Sequence, residues 1–152
     1  MSISFSYRKE GLHGNRVIYR PKIPVTFRKY KKEVSLIAII DSGSDATILS
    51  KEVAEQLGLA IGGKKGTLEG IGGVVETVEF PVNLVISKKR VKEHIPQMPV
   101  KVLLSDSPVE DAILGRIPFF SNFDITFKEN ARKIVLNKSV HGRGRSPIEI
   151  AA

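Results

Sequence analysis

A single carboxylate, Asp41, stands where an apolar run enters a tight glycine turn: Ile39-Ile40-Asp41-Ser42-Gly43-Ser44-Asp45-Ala46-Thr47-Ile48-Leu49. Apolar segments on both sides bury the flanking chain while the turn stays open, which is how a reactive acid is held at the floor of a cleft. One carboxylate cannot both take a proton from an attacking water and give one to the group under attack, but two carboxyls a few ångströms apart can. Like charges so close resist double ionisation, so such a pair keeps one acid and one base over a range of pH. The chain has only one Asp-[Ser/Thr]-Gly: Asp106-Ser107-Pro108 lacks the glycine, and Asp45 and Asp124 lack the rest. A pair built on this motif takes its second member from a second chain, across a twofold axis between two copies of Asp41. The competing reading is an ordinary loop, because Asp, Ser and Gly are all turn formers.

Two further segments share the pattern of apolar chain meeting glycine. Leu68-Glu69-Gly70-Ile71-Gly72-Gly73-Val74 reads as a hairpin tip about thirty residues after the acid, and Ala112-Ile113-Leu114-Gly115-Arg116 as a short strand ending at glycine. Glycines at such a tip permit positive φ and let the backbone approach a bound chain. In this order, over Val34 to Leu136, the three segments resemble the retropepsin family of aspartic peptidases.

The resemblance implies an acid-protease fold with one lobe per chain and an active homodimer that cleaves extended polypeptides with water activated by two copies of Asp41. It implies that Ser42 braces the turn across the axis, and that Gly43 leaves room for the turn and for a peptide above it. It matches Asp45 to a second acid of the turn and Arg116, after Gly115, to its bidentate partner. Gly70, Ile71 and Gly72 match a flap whose Ile71 closes the cleft. Ser44 stands where the family carries alanine or a hydroxyl residue, from which a hydrogen bond to the nearby carboxylate is expected. Gly43, Ser44, Asp45, Gly70, Ile71 and Gly72 are thus the expected substrate contacts, with Ser42, Gly115 and Arg116 in support. The helix that begins after Ser50 and the aromatic-rich Phe119 to Phe127 look nearer to cellular retropepsin-like domains, such as those of ubiquitin-shuttle proteins, than to viral members. The viral C-terminal interface strand has no evident counterpart, so Lys133 to Leu136 and the tail are candidates for dimer contacts. The alternative function is a noncatalytic module of the same fold that dimerises or binds peptide.

The elements that must position these residues follow from a dominant period of two, which marks strands. Ile23 to Phe27, Val34 to Ile40, Val74 to Phe80, Val82 to Ile86, Val100 to Leu104, Asp124 to Phe127 and Lys133 to Leu136 read as strands, giving an all-β class with a closed barrel. One helix is predicted over Lys51 to Leu57, capped by Ser50 and ended by Gly58, and a second short one over Ile117 to Asn122. The expected organisation is a partly ordered extension over residues 1–20, a peptidase domain over 21–138, and a basic, flexible tail over 139–152.

Composition bounds the rest. At 152 residues the chain accommodates one lobe, not two. It has no cysteine, and His13, His94 and His141 are scattered, so neither a disulfide framework nor a metal site is expected. No cofactor is expected. No segment has the apolar length of a secretory signal or a membrane span, which predicts a soluble cytoplasmic protein without membrane contact. The net charge of +8 attracts nucleic acid, but the clusters Arg28 to Lys32 and Lys88 to Lys92 fall between strands. They read as solvated turns, because no array of stacking aromatics accompanies them or Arg143 and Arg145 of the tail.

Overall fold

Alternation of buried and exposed residues builds the chain into strands, and their pairing closes a barrel. The computed structural model describes residues 2–59, 62–105, 110–139, 148 and 151. The first strands are β1 (Ser2–Ser6), β2 (Arg8–Gly11), β3 (Val17–Arg20), β4 (Lys22–Lys29), β5 (Lys32–Ile40) and β6 (Ile48–Leu49). After helix α1 (Lys51–Gln56) come β7 (Lys64–Gly70), β8 (Gly73–Lys88), β9 (Val91–Leu103) and β10 (Ala112–Leu114). A 3₁₀ turn over Phe119–Asn122, then β11 (Phe123–Lys128) and β12 (Lys133–Lys138), complete the series. The main sheet runs β4-β5-β10-β6-β9-β8, and β8 pairs back onto β4, so six strands close on themselves while β7 extends β8 as an outer edge. This is the closed acid-protease barrel expected from the sequence.

Ile23, Val25 and Phe27 of β4 point inward at alternate positions and meet Leu49, Leu84, Leu114 and Phe119, all within one core. Ile134 and Leu136 of β12 belong to the same core, so the three-stranded sheet β1-β12-β11 packs on the barrel as part of one unit. β12 is the middle strand of that sheet, paired with β1 on one side and β11 on the other. Among the described residues both edges of β12 are thus taken. A dimer contact at Lys133 to Leu136 would therefore have to use a face of this sheet and not an edge of β12.

Residues 2–20, read from sequence as a partly ordered extension, form β1 to β3, and Ile3, Phe5 and Tyr7 are buried. β2 and β3 pair as a hairpin whose Glu10 reaches Arg20 and Lys22. Lys22 also meets Glu110 at 2.9 Å, just before β10. Burial pulls the Lys22 pKa down, yet the hydrogen bonds to Glu10 and Glu110 outweigh it and leave a net upward shift.

The two strands read over Val74 to Phe80 and Val82 to Ile86 are one continuous β8. Pro81 falls between the part of β8 that pairs with β7, ending at Glu79, and the part that pairs with β4, beginning at Asn83. A residue without an N–H is tolerated where that edge has no partner. A bulge follows between Val82 and Leu84, and the Asn83 side chain accepts from the backbone N–H of Gln97 at 2.9 Å. Helix α1 forms as expected: the Ser50 hydroxyl accepts from Val53 N–H at 3.3 Å, Leu57 is the C-cap, and Gly58 turns the chain away at φ +66. The second predicted helix is only the 3₁₀ turn over Phe119–Asn122.

The basic clusters Arg28 to Lys32 and Lys88 to Lys92 span the β4–β5 and β8–β9 turns. Arg28 is paired with Glu33 at 2.9 Å. Asp106 to Pro108, His141, Arg143 and Arg145 lie outside the described residues. No described helix is long and apolar enough to cross a membrane.

Candidate active site

Asp41 is reached by a strand arrangement that local sequence cannot specify. β5 ends at Ile40 and the chain turns through 41–47 before returning as β6. Between the two slides β10, parallel to β5 through Ile39↔Ile113 and Ile40↔Leu114 and antiparallel to β6 through Ala112↔Leu49. Two distant segments of the chain thereby hold one turn from both sides.

Hydrogen bonds lock that turn. Asp41 N–H donates to the Leu114 carbonyl at 3.0 Å, and Ser44 N–H closes the loop onto the Asp41 carbonyl at 3.2 Å. Arg116 N–H donates to the Ser44 carbonyl and Ile117 N–H to the Asp45 carbonyl, both at 2.8 Å. The Asp41 carboxylate accepts from Gly43 N–H at 2.8 Å through Oδ1. A backbone donor inside the turn thus orients the acid, and a Cβ at Gly43 would lie 3.2 Å from the same oxygen.

Gly115 is required by space. A Cβ there would lie 2.0 Å from the Ala46 carbonyl oxygen and 2.7 Å from that of Ser44, both backbone atoms. Its N–H donates to the Thr47 hydroxyl at 3.3 Å, and Thr47 is only 1% exposed. Thr47 thus belongs to the site's scaffold although the sequence reading gave it no role. The signal was its place in the turn, and its partner became visible only when β10 was laid beside β6.

The sequence-predicted residues are not all brought together equally. Asp41, Gly43, Ser44, Asp45, Gly70 and Gly72 line one open cleft of about 1080 Å³. Ala46, Ile48, Ile113 and Ile117 add apolar lining beside Thr47, and Ile148 of the tail also lines it. Ile71 does not line it, standing fully exposed at the tip of the β7–β8 hairpin, with Val74 largely exposed beside it. Gly73 supplies the positive φ at this tip, +113.

Two expected contacts differ. The Ser44 hydroxyl donates to the Ala46 carbonyl at 2.8 Å, so its one proton is committed away from Asp41. Arg116 meets Asp45 through one contact of 3.6 Å between Nη1 and Oδ1, and both side chains are exposed, so the pair is a loose surface ion pair and not a bidentate one. Ser42 is exposed, and its hydroxyl has no partner among the described residues. No group of three or more His, Cys, Asp or Glu among the described residues could hold a metal ion.

The family model described as aspartyl protease matches residues 23–116, more than half of the chain and the whole span from β4 to the end of the Gly115-Arg116 turn. The chain belongs to the aspartyl protease family. Among solved structures, this aspartyl protease chain is similar to a retropepsin-like aspartic protease from Rickettsia conorii. That match has a TM-score of 0.63 at 17% identity and covers 90% of this chain and 98% of the other. The fold is thus the retropepsin-like one. EIAV protease, solved in complex with the inhibitor HBY-793, is also similar, at 25% identity and a TM-score of 0.46, covering 71% of this chain and 89% of that one. No curated protein sequence is significantly similar to the chain.

Proposed function

We propose that this aspartyl protease family member is an active endopeptidase whose working unit is a homodimer, with Asp41 from each chain forming the catalytic pair. The observation that carries this reading is the placement of a lone Asp41, oriented by Gly43 N–H, at the floor of an open cleft. A lobe with one such acid lacks half of a proton-sharing pair, and a second copy supplies it by symmetry. One carboxyl then draws a proton from the attacking water while the other protonates the peptide carbonyl.

Supporting roles follow from position. Ser42, exposed and without a partner among the described residues, is available to brace the turn across the twofold axis. The β7–β8 hairpin acts as a flap, with its exposed Ile71 and Val74 folding over an extended peptide. Among the described residues β7 pairs only with β8, so its outer edge offers main-chain groups to such a peptide, as in strand addition. The substrate is an extended polypeptide.

The test is Asp41→Asn, which removes acid and base while preserving shape. Cleavage of a denatured protein substrate should fall by about three orders of magnitude or more, with unchanged circular dichroism and unchanged dimer content by sedimentation. Cleavage retained by the pure variant excludes the mechanism.

A further inference from the structure

Glu79 lies on the cleft-facing side of the barrel wall, away from Asp41, and none of the roles above uses it. In strand register it stands directly between Lys64 of β7 and Lys101 of β9. Cross-strand neighbours of opposite charge are placed to pair. Here neither lysine does so, and the half-buried Glu79 carboxylate has no hydrogen-bond or ion-pair partner among the described residues. Its position is fixed from behind: a Cβ at Gly63 would lie 2.3 Å from the Glu79 carbonyl oxygen, so the start of β7 is pressed against this point of β8.

The charge around it is the reverse of the molecule's. The chain carries 24 Lys and Arg against 16 Asp and Glu, yet the charged residues lining the cleft are Asp41, Asp45, Glu69 and Glu79 against Lys101 alone. Setting Asp41 aside as the reacting acid, and Asp45 because Arg116 is near it, Glu69 and Glu79 still outnumber Lys101. Of these, Glu79 is the half-buried carboxylate, where solvent and salt screen least.

We propose that Glu79 forms a subsite on the cleft wall that takes a lysine or arginine side chain of the extended substrate. The inference rests on the peptidase reading above and names its specificity. From β5 through β10, β6 and β9 to β8 is four strand steps, at most about 19 Å along the sheet, or within roughly five residues of an extended peptide. The basic residue therefore sits within about five positions of the scissile bond, and the twofold arrangement gives one such subsite in each half of the cleft. A guanidinium or ammonium arriving there gives the carboxylate the charge-assisted partner that Lys64 and Lys101 do not.

The experiment takes a peptide that the purified full chain cleaves and places Lys, Ala or Glu in turn at each position within about five residues of the cleaved bond. At one position the Lys peptide should exceed the Ala peptide in kcat/KM by about tenfold at low salt, with Glu poorest. In Glu79→Gln, an isosteric change whose folding is checked by thermal melting, that ratio should fall towards one. A ratio near one at every position in the wild type, the same ratio in both proteins, or a preference for Glu overturns the subsite. If the wild type cleaves no peptide, the peptidase reading fails separately, and binding of the same peptides to Asp41→Asn decides. Tighter binding of the Lys peptide, lost when Glu79→Gln is added, supports the subsite, and equal or absent binding overturns it.

Discussion

The floor of the cleft and the tip of the β7–β8 hairpin are both glycine-rich, yet their glycines are present for opposite reasons. At the floor, Gly115 is packed until no side chain fits, and the Asp41 turn is tied by backbone bonds to β10 and to Arg116 and Ile117. At the tip, a Cβ on Gly70, Gly72 or Gly73 would meet nothing within 4 Å, and Ile71 is fully exposed. One region holds a carboxylate against packed backbone, and in the other the glycines have open space around them among the described residues. A site that must position a carboxylate and also admit a long chain needs both.

The sharpest way to break this contrast is Gly115→Ala. With backbone atoms 2.0 and 2.7 Å from the new Cβ, the strand must shift, and the unfolding free energy should drop by about 3 kcal/mol or more in urea titration. A loss below about 1 kcal/mol would show that the floor is more compliant than its geometry indicates.

Thr47→Val comes next. It keeps the shape but removes the acceptor for the buried Gly115 N–H, so a loss of about 1–3 kcal/mol is expected, with Thr47→Ser restoring most of it. If Val and Ser are equivalent, the hydroxyl is not part of what holds the turn.

Lys22 tests how far the floor's support extends. It joins the β2–β3 hairpin to Glu110 at the approach to β10. Its folded pKa is raised, so its contribution is fully present below the ordinary value of 10.5 and lost as pH rises through the folded one. Wild type should therefore lose stability as pH rises above 10.5, and Lys22→Met should lose less over the same alkaline range, as read from urea midpoints. Equal alkaline losses would remove Lys22 from the account.

Gly72→Ala is the counterpart at the tip. The site is open and its φ is not positive, so stability should change by less than about 0.5 kcal/mol. A large loss here would erase the distinction between the two regions.

What the sequence revealed divides along the same line. The strands β4, β5, β11 and β12 announced themselves through alternating apolar residues, and α1 through Ser50 and Gly58, because those signals are local. β7 did not, since Lys-Lys-Gly-Thr at its start has no apolar face and is a strand only because β8 runs beside it. β1 went unread because Ser2 to Ser6 is short and finds its partner β12 at the far end of the sequence. Asp41 and its turn were readable as a motif. Thr47 and Glu79 were not, because each acquires meaning from the neighbour that strand register gives it. The loose Asp45–Arg116 contact and the Ser44–Ala46 hydrogen bond likewise depend on side-chain geometry that residue type alone does not set.

The central claim, that two copies of Asp41 make one active site, is tested most directly by mixing. Wild type and Asp41→Asn are combined at fixed total concentration, above the dimer dissociation constant, and allowed to exchange before cleavage of one peptide is measured. A dimer holding a single Asp41 lacks its partner acid, so activity should follow the square of the wild-type fraction, and an equal mixture should retain about a quarter of the wild-type rate. A linear dependence, with half the rate in the equal mixture after verified exchange, would mean that each chain acts alone and would contradict the account.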